Sequence, residues 1–375
     1  MNKNNLSIYI HIPFCKKKCA YCNFYRHVWS EEKETAFLKS LSREINCYQE
    51  ILPKHNITTL FIGGGTPSVL SLAGLKELFT ICDHYFDLPH IQEKTIELNP
   101  ESVTYEKLSL IKSSSINRLS MGVQSMLDSE LSTLGRIHSA SDVDQAITIF
   151  KDLKFTNFNL DYMFGLPNAN LETTKNSLSR ILAYEPTHLS TYALSIEEQT
   201  KFKKQNQAII SQEESLSIFR YIRSFLKNSG FKHYEVSNFA KKEFTCQHNL
   251  NYWRNGAYLG FGPSAHSYFE ATRFANSADL TGYLKDSQPI IFRKNLKKQR
   301  QYDKINDFLI CRLRLLSGFT INSINKECGI DFLKDFNVPI KKLRNLKLLK
   351  VTSAKIKVTA KGLYLLDDVL TELMV

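Results

Sequence analysis

LSIYIHIPFCKKKCAYCNF, residues 6–24, decides how the rest of the chain is read. Its first seven residues alternate apolar and polar side chains as a strand does, and a loop carrying Cys15, Cys19 and Cys22 follows at once. Similar β-rich runs recur at TTLFI (58–62), KTIELN (94–99), INRLSM (116–121), TNFNLDYMF (156–164) and THLSTYAL (187–194). Between them, 31–52, 71–87, 103–113, 128–134 with 141–153, and 171–183 space apolar residues three and four apart, which predicts helices. Six alternations predict an α/β fold of parallel strands joined by right-handed crossovers. Units of this size curl into a full or partial (β/α)6 TIM-like barrel, with a flat doubly wound sheet as the other option. In both, the site lies at the C-terminal strand ends. There the sequence reads HIPFC, GGGTPS, NPES, GVQS, FGLP and SIEE, rich in glycine and polar groups.

The chain has 375 residues, and its 43% apolar and 23% charged composition excludes long disorder. Its formal charge of +12 is uneven: residues 291–375 hold 18 Lys/Arg against 8 Asp/Glu, leaving 31 against 29 elsewhere. Basicity therefore belongs to the C-terminal quarter. The N-terminus lacks the apolar stretch of a signal peptide, and the uncharged window 56–75 carries four glycines and Pro67, which a spanning helix would not combine. Both features predict a cytoplasmic protein with reduced thiols, so a close cysteine cluster reads as a metal or redox site. We expect three parts: residues 1–240, a Gly- and aromatic-rich region 241–290 ending in a Gln288-Pro289 linker, and a basic module 291–375. In that module a helix over 304–316, Gly318 ending it, Thr320 capping the next helix and a hairpin over 346–360 predict a winged-helix-like domain.

Cys15, Cys19 and Cys22 form C-x3-C-x2-C, and three thiolates within eight residues can wrap one soft metal centre. No fourth ligand adjoins them, so a [4Fe–4S] cluster held this way leaves one iron open. A zinc knuckle completed by His11, His27 or a distant cysteine is the alternative. Lysines 16–18 between the ligands lower thiol pKa values or form a solvated loop tip. Cys47, Cys82, Cys311 and Cys328 lie in helical patterns and read as buried thiols.

The order HIPFC-x3-C-x2-C, GGGTPS, NPES, GVQS, LGRIHSA, LDYMFGLP, YEVSNFA and HNLNYW, followed by GFGPSAHS, resembles the radical S-adenosylmethionine enzymes of the oxygen-independent coproporphyrinogen oxidase type. The HN-x2-YW motif of His248, Asn249, Tyr252 and Trp253 makes it most similar to the HemW-type haem chaperones. The decarboxylating oxidases carry a longer N-terminal extension and a fourth cysteine two residues after the triad, where this chain has Phe24. The resemblance implies that S-adenosylmethionine chelates the open iron and is cleaved to methionine and a 5′-deoxyadenosyl radical. It places Tyr9, Tyr21, Gly64, Gly65, Thr66, Glu97, Gln124, Arg136, Asp161 and Ala193 at adenosylmethionine-contacting positions. Each residue type suits that role: glycines admit backbone to the methionyl moiety, carboxylates accept from its amino group or ribose, and an arginine grips a carboxylate.

His248, Asn249, Tyr252 and Trp253 are implied haem contacts, His248 as axial ligand and the aromatics as a stacking face. Cys246 stands as an alternative thiolate ligand. The expected function is a chaperone that binds haem as cargo and passes it to apo-haemoproteins, respiratory ones among them. Coproporphyrinogen III oxidation is the alternative, and nucleic-acid regulation through the basic module is the third reading. We favour docking to an acidic partner or an anionic membrane surface over DNA for that module, and a homodimer is left open.

Overall fold

The computed structural model describes residues 4–205, 207–285, 293–298 and 300–375. The Gln288-Pro289 linker and the side chains of the basic run 293–299 lie outside the described residues.

All six expected strands form: β1 (Asn5–Ile12), β2 (Asn56–Gly64), β3 (Glu93–Leu98), β4 (Arg118–Gln124), β5 (Phe158–Phe164) and β6 (His188–Ala193). They pair in chain order, each parallel to the next. Helices 31–46, 72–85, 105–113, 140–152 and 171–183 return the chain between them, as the periodicity predicts. Local chemistry starts these helices: Ser139 with Asp142 forms a capping box, and Asn170 accepts from two backbone N–H groups at the start of 171–183.

The outward row of the strands is mostly aliphatic or aromatic, as with Leu6, Ile8, Ile10 and Ile12 of β1, all fully buried under the helices. The inward row is polar. Glu93, Thr95 and Glu97 of β3 alternate with outward side chains, as do Arg118, Ser120 and Gln124 of β4 and Asn159 and Asp161 of β5. Parallel strands covered on both faces are normally apolar on both. Here the inner face is a buried polar column whose members must bond one another.

The sheet continues past the six units. Tyr258–Phe261 adds parallel to β1, followed by antiparallel His266–Phe269, Thr272–Asn276 and Arg293–Lys298. Beyond β6 come antiparallel Asn238–Ala240 and Lys232–His233. The resulting twelve-stranded sheet has two unpaired edge strands among the described residues, so the barrel stays open. The sheet thus takes in strands on both sides of residue 240.

A buried carboxylate locks this extension in place. Glu44 on helix 31–46 accepts from the Gly262 N–H (2.8 Å), the Asn276 amide (2.5 Å) and the Tyr283 hydroxyl (2.7 Å).

The C-terminal module has helices 301–312, 321–328 and 337–345 and a three-stranded sheet ordered Phe319–Thr320, Lys355–Val358, Leu349–Val351. The expected winged-helix arrangement is present, with Thr320 capping the second helix. Its first helix spans 301–312 instead of 304–316, and Gly318, at φ +64°, turns the chain into the short strand. Cys82 and Cys328 are buried as expected, whereas Cys47 is exposed because it closes helix 31–46 on the solvent side. Among the described residues no helix is long and apolar enough to cross a membrane.

Glu44→Ala strips an acceptor from three buried donors and is expected to cost about 2–4 kcal/mol in urea unfolding. Glu44→Gln, which keeps a carbonyl acceptor, is expected to cost less.

Candidate functional site

The C-terminal ends of the six strands surround a cavity of about 360 Å³. Cys15, Cys19 and Cys22 line one wall; Gly64, Gly65, Thr66, Glu97, Gln124, Arg136 and Asp161 line the rest, with Tyr21. Eight of the ten expected adenosylmethionine positions therefore converge with the triad. Two do not. Tyr9 lies deeper and lines a second cavity, because the alternation of β1 turns it toward His11 and Phe61. Ala193 lines neither cavity, although its neighbours Tyr192 and Leu194 line the first.

The three thiols are free, and burial pushes the Cys15 thiol up to about 11 and also raises Cys22. Cys15 Sγ lies 3.5 Å from Thr66 Oγ1, and Arg136 points one nitrogen at Cys19 Sγ, 3.7 Å away. Neither histidine of the zinc alternative is available. His11 donates from Nε2 to the Tyr25 carbonyl and accepts the Tyr9 hydroxyl at Nδ1, both at 2.9 Å, and His27 bonds the Tyr25 hydroxyl. Among the described residues no three His, Cys, Asp or Glu side chains converge tightly enough for a single metal ion. The triad instead rims a space, which suits a larger polynuclear group than one zinc.

The glycine turn is sterically required. Gly64 sits at φ +112°, and a Cβ there would stand 2.5 Å from His11 Nδ1; one on Gly65 would stand 2.5 Å from the Phe14 carbonyl. The Gly64 N–H donates to Glu97 (3.0 Å). Burial, then the neighbouring Asp161, pushes the Glu97 carboxyl up to about 8. Asp161 is also raised by burial, although Asn159 donates to it at 2.7 Å. Gln124 holds φ +68° at a register shift between β4 and β5, a costly conformation that aims it across the cavity. Arg136 donates to Asn99 Oδ1 and to the Gly122 carbonyl, both at 2.8 Å, so most of its fork is already engaged. Its Nε–H donates to His138 Nδ1 (3.3 Å), and His138 in turn donates from Nε2 to the Val123 carbonyl (3.1 Å).

The expected second centre is arranged differently from its motif reading. His248, on helix 247–253, is 1% exposed under β2. Its Nδ1 donates to Thr59 Oγ1 (2.7 Å), whose own proton goes to Ser7, and its Nε2 accepts from the Tyr252 hydroxyl (2.8 Å). Burial holds the imidazole down at about 3, hence neutral. Both ring nitrogens are engaged and neither faces an open surface. Cys246 is fully buried against Glu93, and burial pushes its thiol up to about 12, which disfavours the thiolate in this arrangement. Asn249 lines neither cavity. Tyr252 and Trp253, by contrast, face the second cavity, of about 590 Å³.

Sequence reasoning missed Glu93, which accepts the N–H groups of Gln247 (2.8 Å) and His248 (2.9 Å) and so anchors the whole motif to β3. It also missed Arg118, His188 and Asn159. A polar residue at alternate positions of a buried strand is the one signal available, and alone it reads as a solvent face.

Glu97 is protonated in the folded state over a range where the unfolded carboxyl is ionised. Its contribution is complete below the unfolded value and lost as pH rises toward about 8, so the fold weakens over that window. Thermal midpoints from pH 5 to 9 are expected to fall less steeply for Glu97→Gln than for the wild type. Parallel curves would contradict the assignment.

Residues 9–181 match the family model of the radical SAM superfamily, and residues 301–365 match that of the HemN C-terminal domain. A heme chaperone HemW from Lactococcus lactis subsp. lactis is 31% identical over 97% of this chain and 98% of its own length. Those from Haemophilus influenzae and Escherichia coli are 36% and 34% identical, each over 84% of this chain and 83% of its own. Among solved structures, coproporphyrinogen III oxidase (HemN) from Escherichia coli superposes with a TM-score of 0.83 over 99% of this chain and 90% of that one; at 22% identity this shows a common fold. Superfamily membership implies a [4Fe–4S] cluster and S-adenosylmethionine. The chain belongs to the HemW family of the radical SAM superfamily.

Proposed function

We propose that this protein binds haem and passes it to apo-haemoproteins, on a scaffold that also holds a [4Fe–4S] cluster and S-adenosylmethionine. One observation carries the reading: the match to haem chaperones extends over 97% of this chain and 98% of the relative, so both cavities and the C-terminal module fall within it.

In this reading Cys15, Cys19 and Cys22 hold the cluster, which when bound supplies the electron for reductive chemistry at the sulfonium of the cofactor. The protein's own contribution is positional. Arg136 beside Cys19 offsets thiolate charge, and the Gly64–Gly65 turn packs its backbone so closely on His11 and Phe14 that no Cβ would fit. Glu97, protonated near neutrality, offers a donor as well as an acceptor, while Gln124 and Asp161 complete the polar lining. The outer cavity, walled by Tyr252 and Trp253, takes the haem, and His248 supports that wall from behind through the Tyr252 hydroxyl. Residues 1–240 thus carry cofactor binding and 241–290 complete the cargo site. The basic module 291–375 docks an acidic partner or an anionic membrane surface.

The test is one anaerobic reconstitution followed by haem titration, transfer to an apo-haemoprotein and a porphyrin product assay. Haem uptake and transfer without protoporphyrinogen formation is the expected result. Conversion of coproporphyrinogen III in the presence of reductant would replace the chaperone with an oxidase. Replacing all three triad cysteines with Ala is expected to abolish the visible iron–sulfur absorbance. Asp161→Ala is expected to weaken S-adenosylmethionine binding by roughly tenfold, the loss of one hydrogen bond to a charged group. Equilibrium dialysis of the reconstituted protein measures it.

A further inference from the structure

The outer cavity contains two imidazoles. His11 has both nitrogens committed, to Tyr9 and Tyr25. His266 is different. It opens strand 266–269, paired with Ala275 on the neighbouring strand, so its backbone is fixed by the sheet. Its residue is exposed, and among the described residues its ring has no hydrogen-bond partner. Partial desolvation of the ring inside the cavity and the nearby Arg273 hold it below its usual pKa, favouring the neutral form that ligates metals. Cys311 lines the same space, but burial raises its thiol and leaves it a poor donor.

The surroundings suit a flat apolar ligand with an anionic edge. Phe24, Tyr252, Trp253 and Tyr258 line the walls, and Arg273 is held beside them by Asp307 and by the face of Tyr268, 4.6 Å away. No carboxylate lines the cavity among the described residues; Asp307 stands behind Arg273. Its volume of about 590 Å³ lies within the range of cofactor sites.

We propose that His266, and not the motif histidine His248, supplies the axial imidazole to haem iron, with the porphyrin against Tyr252 and Trp253 and a propionate toward Arg273. The assignment rests on the haem reading above. It explains how a motif whose histidine is buried can still mark a cargo site: His248 holds the Tyr252 hydroxyl, and Tyr252 shapes the wall that His266 faces.

The test uses the full chain with haem as the titrant, comparing wild type, His266→Ala and the surface variant His90→Ala. Readouts are affinity by difference absorbance, the iron–histidine stretch of the ferrous complex by resonance Raman, and unfolding midpoints. His266→Ala is expected to unfold as the wild type does, to lose the iron–histidine stretch, to bind haem roughly tenfold more weakly, and to regain imidazole ligation when free imidazole is added. His90→Ala is expected to match the wild type. An unchanged stretch and affinity in His266→Ala overturns the ligand assignment while leaving the haem reading intact. A wild type that takes up no haem overturns the reading itself.

Discussion

The inward row of the six parallel strands is largely polar yet mostly shut off from water, and much of the molecule follows from that constraint. Buried donors and acceptors must find partners, since each one left alone costs on the order of 1–3 kcal/mol. The strands supply most of them: Thr59 bonds Ser7, Asn159 bonds Ser120 and Asp161, and His188 bonds Asn159 and the Tyr234 hydroxyl. The rest come from outside the barrel. Helix 247–253 brings its leading N–H groups to Glu93 and His248 to Thr59, so the segment after the sixth unit completes the polar column.

The same column changes character along its length. Toward one end many of its groups bond one another, and the fold gains rigidity from them, although Thr95 Oγ1 and Arg118 Nε have no hydrogen-bond partner among the described residues. At the C-terminal strand ends the balance shifts. Glu97 and Asp161 are both raised by burial, Gln124 is held at positive φ, and the glycine turn packs against His11 and Phe14 where a side chain would clash. A preorganised site keeps such groups in place at a cost that the mutually bonded part of the column offsets.

Much of this was legible in the sequence. Period-two runs located all six strands and period-3.6 runs their helices, because outward strand faces and inward helix faces bury against one another. The C-x3-C-x2-C loop and the GGG turn located the triad's cavity, because ligand spacing and missing Cβ atoms act locally. The failures are non-local. Tyr9 belongs to the outer cavity because the alternation of β1 turns it beside Phe61 and His11. His248 is buried by a threonine 189 residues away, a relation no motif contains. His266 sits on a four-residue strand whose role depends on sheet extension by Tyr258–Phe261 and Thr272–Asn276, both too short to announce themselves.

Asn23 and Phe24, directly after the last triad cysteine, line both cavities. Two ligands that press on opposite sides of one shared wall are energetically linked: whatever free energy one spends in moving the wall is felt by the other. Thermodynamic reciprocity makes the effect equal in both directions, so a cluster that tightens cargo binding is itself held more tightly by cargo. On the reading proposed above, loading of the inner chamber and release from the outer one would be two sides of a single balance.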